Sequence, residues 1–254
     1  MAARVHVLGS GDAFGSGGRA QTCFLVEAAG RRVLIDCGAT ALVSMRRFGV
    51  LPESIEAVVL THLHGDHFGG VPFLLLYACH VARRPWDVCI AGPQGTQART
   101  LGALDALYAG AGRSMEDLRG QGVLARFEEY APGVPFALGP AQATALLVVH
   151  SDKQPCHGVR LDIGGRVVAY SGDTEWTDAL VDLADGADLF IVECQAWTDP
   201  PPGHLAFDEL RRRLPALRAN RLLLTHMDES MRARAPEVAD DRVLVADDGL
   251  VVEV

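Results

Sequence analysis

Between residues 61 and 67 the chain reads Thr61-His62-Leu63-His64-Gly65-Asp66-His67, placing three imidazoles and a carboxylate within six residues. The preceding run, Ala57-Val58-Val59-Leu60, has the composition of a buried strand. The polar cluster therefore emerges at a strand's carboxyl end, where α/β proteins place their sites. A spacing of two sends His62 and His64 to the same side of an extended backbone. Gly65 lets the chain turn, so Asp66 and His67 can aim at a second point close by. Neutral imidazole and carboxylate are the donors preferred by Zn²⁺ and related first-row ions. Three more such residues end apolar runs: His150 after Leu146-Leu147-Val148-Val149, Asp173 just beyond Val167-Val168-Ala169-Tyr170, and His226 after Leu222-Leu223-Leu224-Thr225. Seven donors exceed the four of one tetrahedral ion, which predicts two divalent metal ions about 3.5–4 Å apart. A pair needs a bridge, and a carboxylate with two oxygens suits it, so Asp173 is the candidate. Zn²⁺ is the expected ion, and the same donors accept Mn²⁺ or Fe²⁺.

The elements that must position these residues follow in chain order. A strand over residues 4–8 runs into a loop, residues 9–19, that holds five glycines in eleven positions. It is neither a GxGxxG turn opening a helix nor a Walker A loop, since no Lys-Ser/Thr follows. It is either a long flexible turn or a substrate-contacting loop. In the second case Arg19 is the phosphate contact, because a guanidinium matches phosphate oxygens in a fork. Residues 21–27 and 32–36 form a hairpin ending at Asp36-Cys37-Gly38, where Asp36 is read as fixing the neighbouring loops in preference to ligating. A helix over residues 41–48 precedes the histidine-rich strand, and an apolar helix over 72–79 follows it, with His80 at the surface. A strand over 87–91 and a helix over 96–108 come next. The glycine-rich stretch 110–122 is a candidate lid or mobile insert. Strands over 125–130 and 141–149 lead to His150, and a turn through Pro155-Cys156-His157-Gly158 leads to a hairpin of residues 159–163 and 166–170. A strand over 189–193, a helix over 207–214 and a strand over 221–225 follow, and Asp247-Asp248-Gly249 is read as a hairpin turn before a last strand at 250–254. Two runs of strands, each followed by helices and joined without a linker, predict one domain over residues 1–254. Its class is α/β (α+β), with two sheets packed face to face and helices outside.

Composition excludes several classes of function. The net charge of −9 opposes non-specific nucleic-acid binding, which depends on Lys and Arg neutralising phosphates. The basic runs Arg83-Arg84 and Arg211-Arg212-Arg213 read as solvated faces. No stretch reaches the 18 apolar residues of a membrane span, and the start of the chain already reads as a strand, so a cytoplasmic location is the default expectation. The six cysteines lack CxxC spacing and sit mostly in apolar strands, so reduced, buried thiols are expected.

His62-x-His64-x-Asp66-His67, with His150, Asp173 in Ser-Gly-Asp-Thr and His226 in Leu-Thr-His, resembles the metallo-β-lactamase superfamily. The likeness is greatest to its ribonuclease Z and PhnP-type phosphodiesterase branch, and it runs from the Leu-Gly-Ser-Gly opening to Leu224-Thr225-His226. The resemblance implies a four-layer αββα metallo-β-lactamase-type sandwich with a dinuclear centre at one edge. By position it assigns His62, His64 and His150 to one metal and Asp66, His67 and His226 to the other, with Asp173 bridging. It implies attack on phosphorus by a hydroxide bridging the two metals, with Asp66 orienting the nucleophile or accepting its proton. The family's His-Glu-Ala-Thr segment, whose His protonates the leaving group, corresponds here to Val192-Glu193-Cys194-Gln195, so that His is missing. His204, in Gly203-His204-Leu205-Ala206, resembles the His of a Gly-His-Ser-Thr segment and is the remaining catalytic candidate, its competing role being to order the following helix. His157 is a candidate substrate contact.

A second departure bears on substrate. Ribonuclease Z proteins insert a tRNA-binding arm between the motifs matching His150 and Asp173, and only 22 residues separate those two here. Together with the charge, this argues against tRNA and for a small-molecule substrate, a phosphodiester or a cyclic phosphate or nucleotide. The alternatives are hydrolysis of a carboxyl derivative (a lactone, thioester or β-lactam) at the same metal pair, and a metal-binding sensor or redox protein without turnover. A membrane partner is not expected, and a homodimer is what the family and the frequency of twofold oligomers suggest.

Overall fold

The computed structural model describes residues 3–82, 85–111, 115–238 and 240–254. Arg83 and Arg84 lie outside the described residues. The apolar runs condense into two seven-stranded sheets among the described residues. The first contains β1 (Ala3–Gly9), β2 (Cys23–Ala28), β3 (Arg31–Ile35), β4 (Ala57–Val59), β5 (Trp86–Gly92) and β6 (Val123–Glu129) in sequence order. The second contains β7 (Phe136–Leu138), β8 (Ala141–Val148), β9 (Cys156–Ile163), β10 (Arg166–Tyr170), β11 (Leu189–Glu193), β12 (Arg221–Thr225) and β13 (Val243–Val245). The last strand, β14 (Val251–Glu253), returns to the first sheet beside β1.

Strands β3 to β6 run parallel to one another, as do β10 to β13. Their carboxyl ends therefore line up along one edge of each sheet, and that edge carries the predicted donors. Central parallel strands are covered on both faces. This is why β4 and β11 are uninterrupted apolar runs, whereas β8 alternates buried with less buried residues.

Three apolar layers hold the sandwich. Between the sheets, Val5, Phe24, Ile35 and Val59 share a core with Leu161, Tyr170, Ile191 and Leu223. Outside the first sheet lie α1 (Ala41–Arg47), the single turn α2 (Gly65–Phe68), α3 (Val71–His80), α4 (Thr96–Leu107) and α5 (Met115–Gly120). They bury Met45, Leu74, Leu104 and Leu118 against Leu34, Val58 and Ile90. Outside the second sheet, α6 (Ala179–Ala184), α7 (Phe207–Arg213) and α8 (Glu229–Arg234) bury Leu183, Leu210 and Met231 against Phe190 and Leu224. The result is the expected αββα sandwich. All six cysteines are free thiols, five of them buried, and His80 is exposed.

Two local expectations are corrected. Within the stretch 110–122, Met115–Gly120 does not stand away from the body: it forms α5, whose Leu118 is fully buried beside Val123 and Ala125 of β6. Residues 112–114 of that stretch lie outside the described residues. Asp247-Asp248-Gly249 does not close a hairpin, because β13 belongs to one sheet and β14 to the other. The connection crosses between sheets, and the Asp248 carboxylate accepts hydrogen bonds from the Ser10 N–H, the Ser10 hydroxyl and the Ala20 N–H. A glycine and two acids mark a turn but do not say which strand the chain pairs with afterwards.

Candidate metal centre

All seven predicted donors meet at the strand ends. The first group is the ring nitrogens of His62, His64 and His150: His64 Nδ1 lies 3.0 Å from His62 Nε2 and 3.1 Å from His150 Nε2. The second is Asp66, His67, Asp173 and His226. In it the Asp66 Oδ2 lies 3.3 Å from both His67 Nε2 and His226 Nε2, and the Asp173 Oδ2 lies 3.2 and 3.4 Å from the same two atoms. Asp173 Oδ2 also reaches to 3.8 Å from His150 Nε2, so it stands between the two groups. Bonds of 2.0–2.1 Å to a tetrahedral ion would set ligand atoms about 3.3 Å apart, which is the spacing seen. Buried donors normally have hydrogen-bond partners. Here His67 Nε2 and Asp173 Oδ1 are buried and have none, as expected of atoms facing a cation. The residues fit a pair of divalent ions.

The supporting residues explain why the donors point this way. Asp36 ends β3, next to β4 in the sheet, with a left-handed φ of 56°. Its Oδ1 accepts the Thr61 N–H at 2.7 Å, and its Oδ2 accepts the Thr61 hydroxyl at 2.8 Å and lies 2.6 Å from His67 Nδ1. A carboxylate behind the ring fixes tautomer and orientation, leaving Nε2 for the metal. Asp36 is thus a positioning residue. His150 Nδ1 is held 2.9 Å from the Gly203 carbonyl. His226 has a φ of 59°, and its N–H donates to the Ser10 carbonyl. Such non-glycine outliers cluster at functional sites.

Electrostatics follow from crowding without metal. Burial opposes charge on His67, but Asp173, Asp36 and Asp66 together hold its pKa well above the usual imidazole value. For His226 burial is likewise outweighed, chiefly by Asp173 and the Asp66 hydrogen bond, which raise it to about 9. The carboxyls respond in the opposite sense. Burial raises them, but His67 and His226 pull Asp66, and His226 and His67 pull Asp173, well below the carboxylate range. In His62 and His64 burial dominates and lowers the pKa, assisted by His67 and His150 respectively.

His204 stands at the rim. Its ring stacks on His226 with centroids 5.4 Å apart and meets His150 edge-on at 4.8 Å. Its Nδ1 lies 3.0 Å from the Glu193 Oε1. Glu193 is fully buried at the end of β11, where it also accepts the Thr174 and Leu205 N–H groups. Glu193 was not foreseen as a site residue, yet its signal was the one that found His150 and His226: a polar residue closing an apolar run.

The other two candidates are held by partners outside the donor groups. Arg19 donates from Nε to Asp247 at 3.0 Å, and its Nη1 is buried without a partner. His157 is buried with Nδ1 3.3 Å from the Thr61 carbonyl and its ring edge-on to Tyr130. It lines a separate cavity of about 450 Å³ and belongs to neither donor group. Of the arginine run, Arg211 is 61% exposed and pairs with Asp208, as a solvated face would, whereas the Arg213 guanidinium lies over the Trp176 ring.

The family described as "Anti-Pycsar protein Apyc1" matches residues 3–248. The probable metallo-hydrolase YhfI of Bacillus subtilis is 27% identical over 98% of this chain and 99% of its own length. Its crystal structure superposes with a TM-score of 0.78 at 24% identity, covering 98% of this chain and 99% of that one. Human tRNase Z, short form, superposes with a TM-score of 0.75 at 23% identity over 98% of each chain. A diphosphatase from the PhnP family gives 0.75 at 21% identity, over 99% of this chain and 98% of that one.

Proposed function

Because the chain belongs to the Anti-Pycsar protein Apyc1 family, within the ribonuclease Z- and PhnP-like branch of the metallo-β-lactamase superfamily, we propose that it is a metal-dependent phosphodiesterase. The substrate is a small phosphodiester, a cyclic phosphate or cyclic nucleotide. The observation that carries this reading is the position of Asp173 Oδ2 between two donor groups, with His204 at their rim.

In this reading His62, His64 and His150 hold one divalent ion, Asp66, His67 and His226 hold a second, and Asp173 spans the two. Zn²⁺ is the ion we assign, on the imidazole-rich donor set. When bound, the ions supply Lewis acidity, making water nucleophilic at neutral pH and offsetting charge on phosphoryl oxygens. The remaining work belongs to the chain. Asp36 and Thr61 keep His67 and the strand end rigid. Asp66 orients the attacking water. His204 gives a proton to the leaving oxygen: the Glu193 carboxylate takes its Nδ1 side, so Nε2 is the atom left to carry that proton. Burial works against the charged ring, but the Glu193 hydrogen bond and charge raise the His204 pKa. A raised pKa favours the protonated form that a general acid needs. This proton donor favours alkoxide leaving groups, which need one, over the activated esters and lactams of the rival reading.

Residues 151–172 form a short turn and the β9–β10 hairpin, too little chain for a tRNA arm. Together with the charge of −9 this supports a small substrate. Elemental analysis alongside a substrate panel tests the proposal. About two metals per chain, with hydrolysis of bis-p-nitrophenyl phosphate and of cyclic nucleotides but not of lactones or nitrocefin, is the expected result. Turnover confined to lactones, thioesters or nitrocefin would replace it with the carboxyl-derivative reading, and two metals with no turnover would replace it with a sensor.

A further inference from the structure

His204 belongs to two places at once. Its donor atom lies within 4.8 Å of those of His150 and Asp173. Its side chain also lines a cavity of about 490 Å³ whose other walls include Trp176, Glu175, Arg213 and the triproline of residues 200–202. The cavity therefore adjoins the proposed centre at the residue assigned to protonate the leaving oxygen. Whatever is attached to that oxygen extends into it.

The walls say what that group is. Trp176 is half-buried and packs against the apolar layer outside the second sheet, and the Arg213 guanidinium carbon lies 5.1 Å from its ring centroid. A guanidinium lying over an indole ring offers delocalised surface of the kind a heterocyclic base packs against. The nearest acid to Arg213, Glu209, is 3.9 Å away, and both side chains are well exposed. That pair is weak, so the cation is free to meet an anionic substrate. The lining is also fastened to the centre. Glu175 accepts the Gly203 N–H at 2.8 Å, and the Gly203 carbonyl holds the His150 ring. Carboxylates in the lining suit the N–H groups of a base and would repel an aliphatic tail.

We infer that this cavity is the subsite for the base of a nucleotide substrate, with Trp176 and Arg213 as its stacking wall. The inference rests on the phosphodiesterase reading and goes beyond it by naming the residues that select the substrate. The test compares the metal-loaded wild type with Trp176→Ala, Trp176→Phe and Arg213→Ala on 3′,5′-cyclic nucleotides and on glycerol 1,2-cyclic phosphate, which has no base. The ratio of kcat/KM for nucleotide over base-free substrate should fall at least tenfold in Trp176→Ala. The change should lie mainly in KM, with most of the ratio kept in Trp176→Phe and an intermediate loss in Arg213→Ala. An unchanged ratio in Trp176→Ala overturns the inference, whether activity on both substrates is kept or lost together. If the wild type turns over neither substrate, the phosphodiesterase reading has failed, and calorimetric titration with AMP decides the subsite by itself. Binding weakened tenfold in Trp176→Ala but not in Trp176→Phe upholds the subsite; equal or absent binding throughout overturns it.

Discussion

Asp36 and Glu193 do the same job for different histidines. Each is a fully buried carboxylate that closes a strand and grips the Nδ1 side of a ring whose other nitrogen faces the centre. Asp36→Asn keeps the shape but replaces an acceptor facing His67 Nδ1 with an amide, which disturbs the tautomer. Metal affinity measured by competition with a chelating dye should fall 10–100-fold, with the fold unchanged by circular dichroism. Affinity within twofold of wild type would show that the carboxylate is only a strand-end clip. Tyr170 is the contrasting case. Its ring fills the core between the sheets against Phe24, but its hydroxyl is buried with no partner. A buried hydroxyl without a hydrogen bond costs about 1–3 kcal/mol. Tyr170→Phe should therefore leave the urea midpoint unchanged or raise it. A loss of more than about 1 kcal/mol of unfolding free energy would mean that the hydroxyl is hydrogen-bonded in solution.

At the scale of elements, the site depends on where loops can approach one another. Gly203 has a φ of 87°, and a Cβ built there would lie 2.4 Å from the His150 carbonyl oxygen and 2.8 Å from its Nδ1. Gly203→Ala is strained in the backbone and also pushes out a donor. We expect metal content near one per chain instead of two, with a drop in kcat of at least tenfold. Full metal content with normal turnover would show that the loop can shift away. The strands that carry the donors were legible because a buried strand leaves a plain signature of consecutive apolar residues ending in a ligand type. The short elements were not: α6, α8, β7 and β13 are six, six, three and three residues long, and their sequences show no period strong enough to read. The reading of 110–122 as a candidate lid or mobile insert missed α5 for a related reason. Its glycines were visible, but the burial of Leu118 against β6 depends on a surface that exists only once the sheet has formed.

At the scale of the whole molecule, folding brings five imidazoles and two carboxylates from both sheets to one edge, and their charges are balanced differently with and without metal. In chelated protein the His226 pKa is raised to about 9. The stability its protonated ring contributes is therefore complete below the unfolded value of about 6.5 and is lost as pH rises through about 9. Ligation needs the neutral ring, so protons compete with metal in the same window, and metal binding tightens as they leave. The difference in Tm between zinc-loaded and chelated protein should accordingly widen from pH 6.5 to 9. A constant difference across that range would contradict the assignment of His226 as a donor. No helix among the described residues is long and apolar enough to cross a membrane.

The grouping of the donors around two points came from the resemblance to a known superfamily; the sequence by itself determined the donor candidates and the two packed sheets that carry them. Those properties follow from local rules: side-chain alternation along a strand, apolar runs where strands are covered on both faces, and the ligand preferences of imidazole and carboxylate. Tertiary structure alone decided that Asp36 stands behind His67 and Glu193 behind His204, and that the Arg213 guanidinium lies over Trp176 beside a cavity that His204 also lines. Each of these joins residues from different strands or loops at distances of a few ångströms. Chain spacing carries no information about such distances until both sheets have packed.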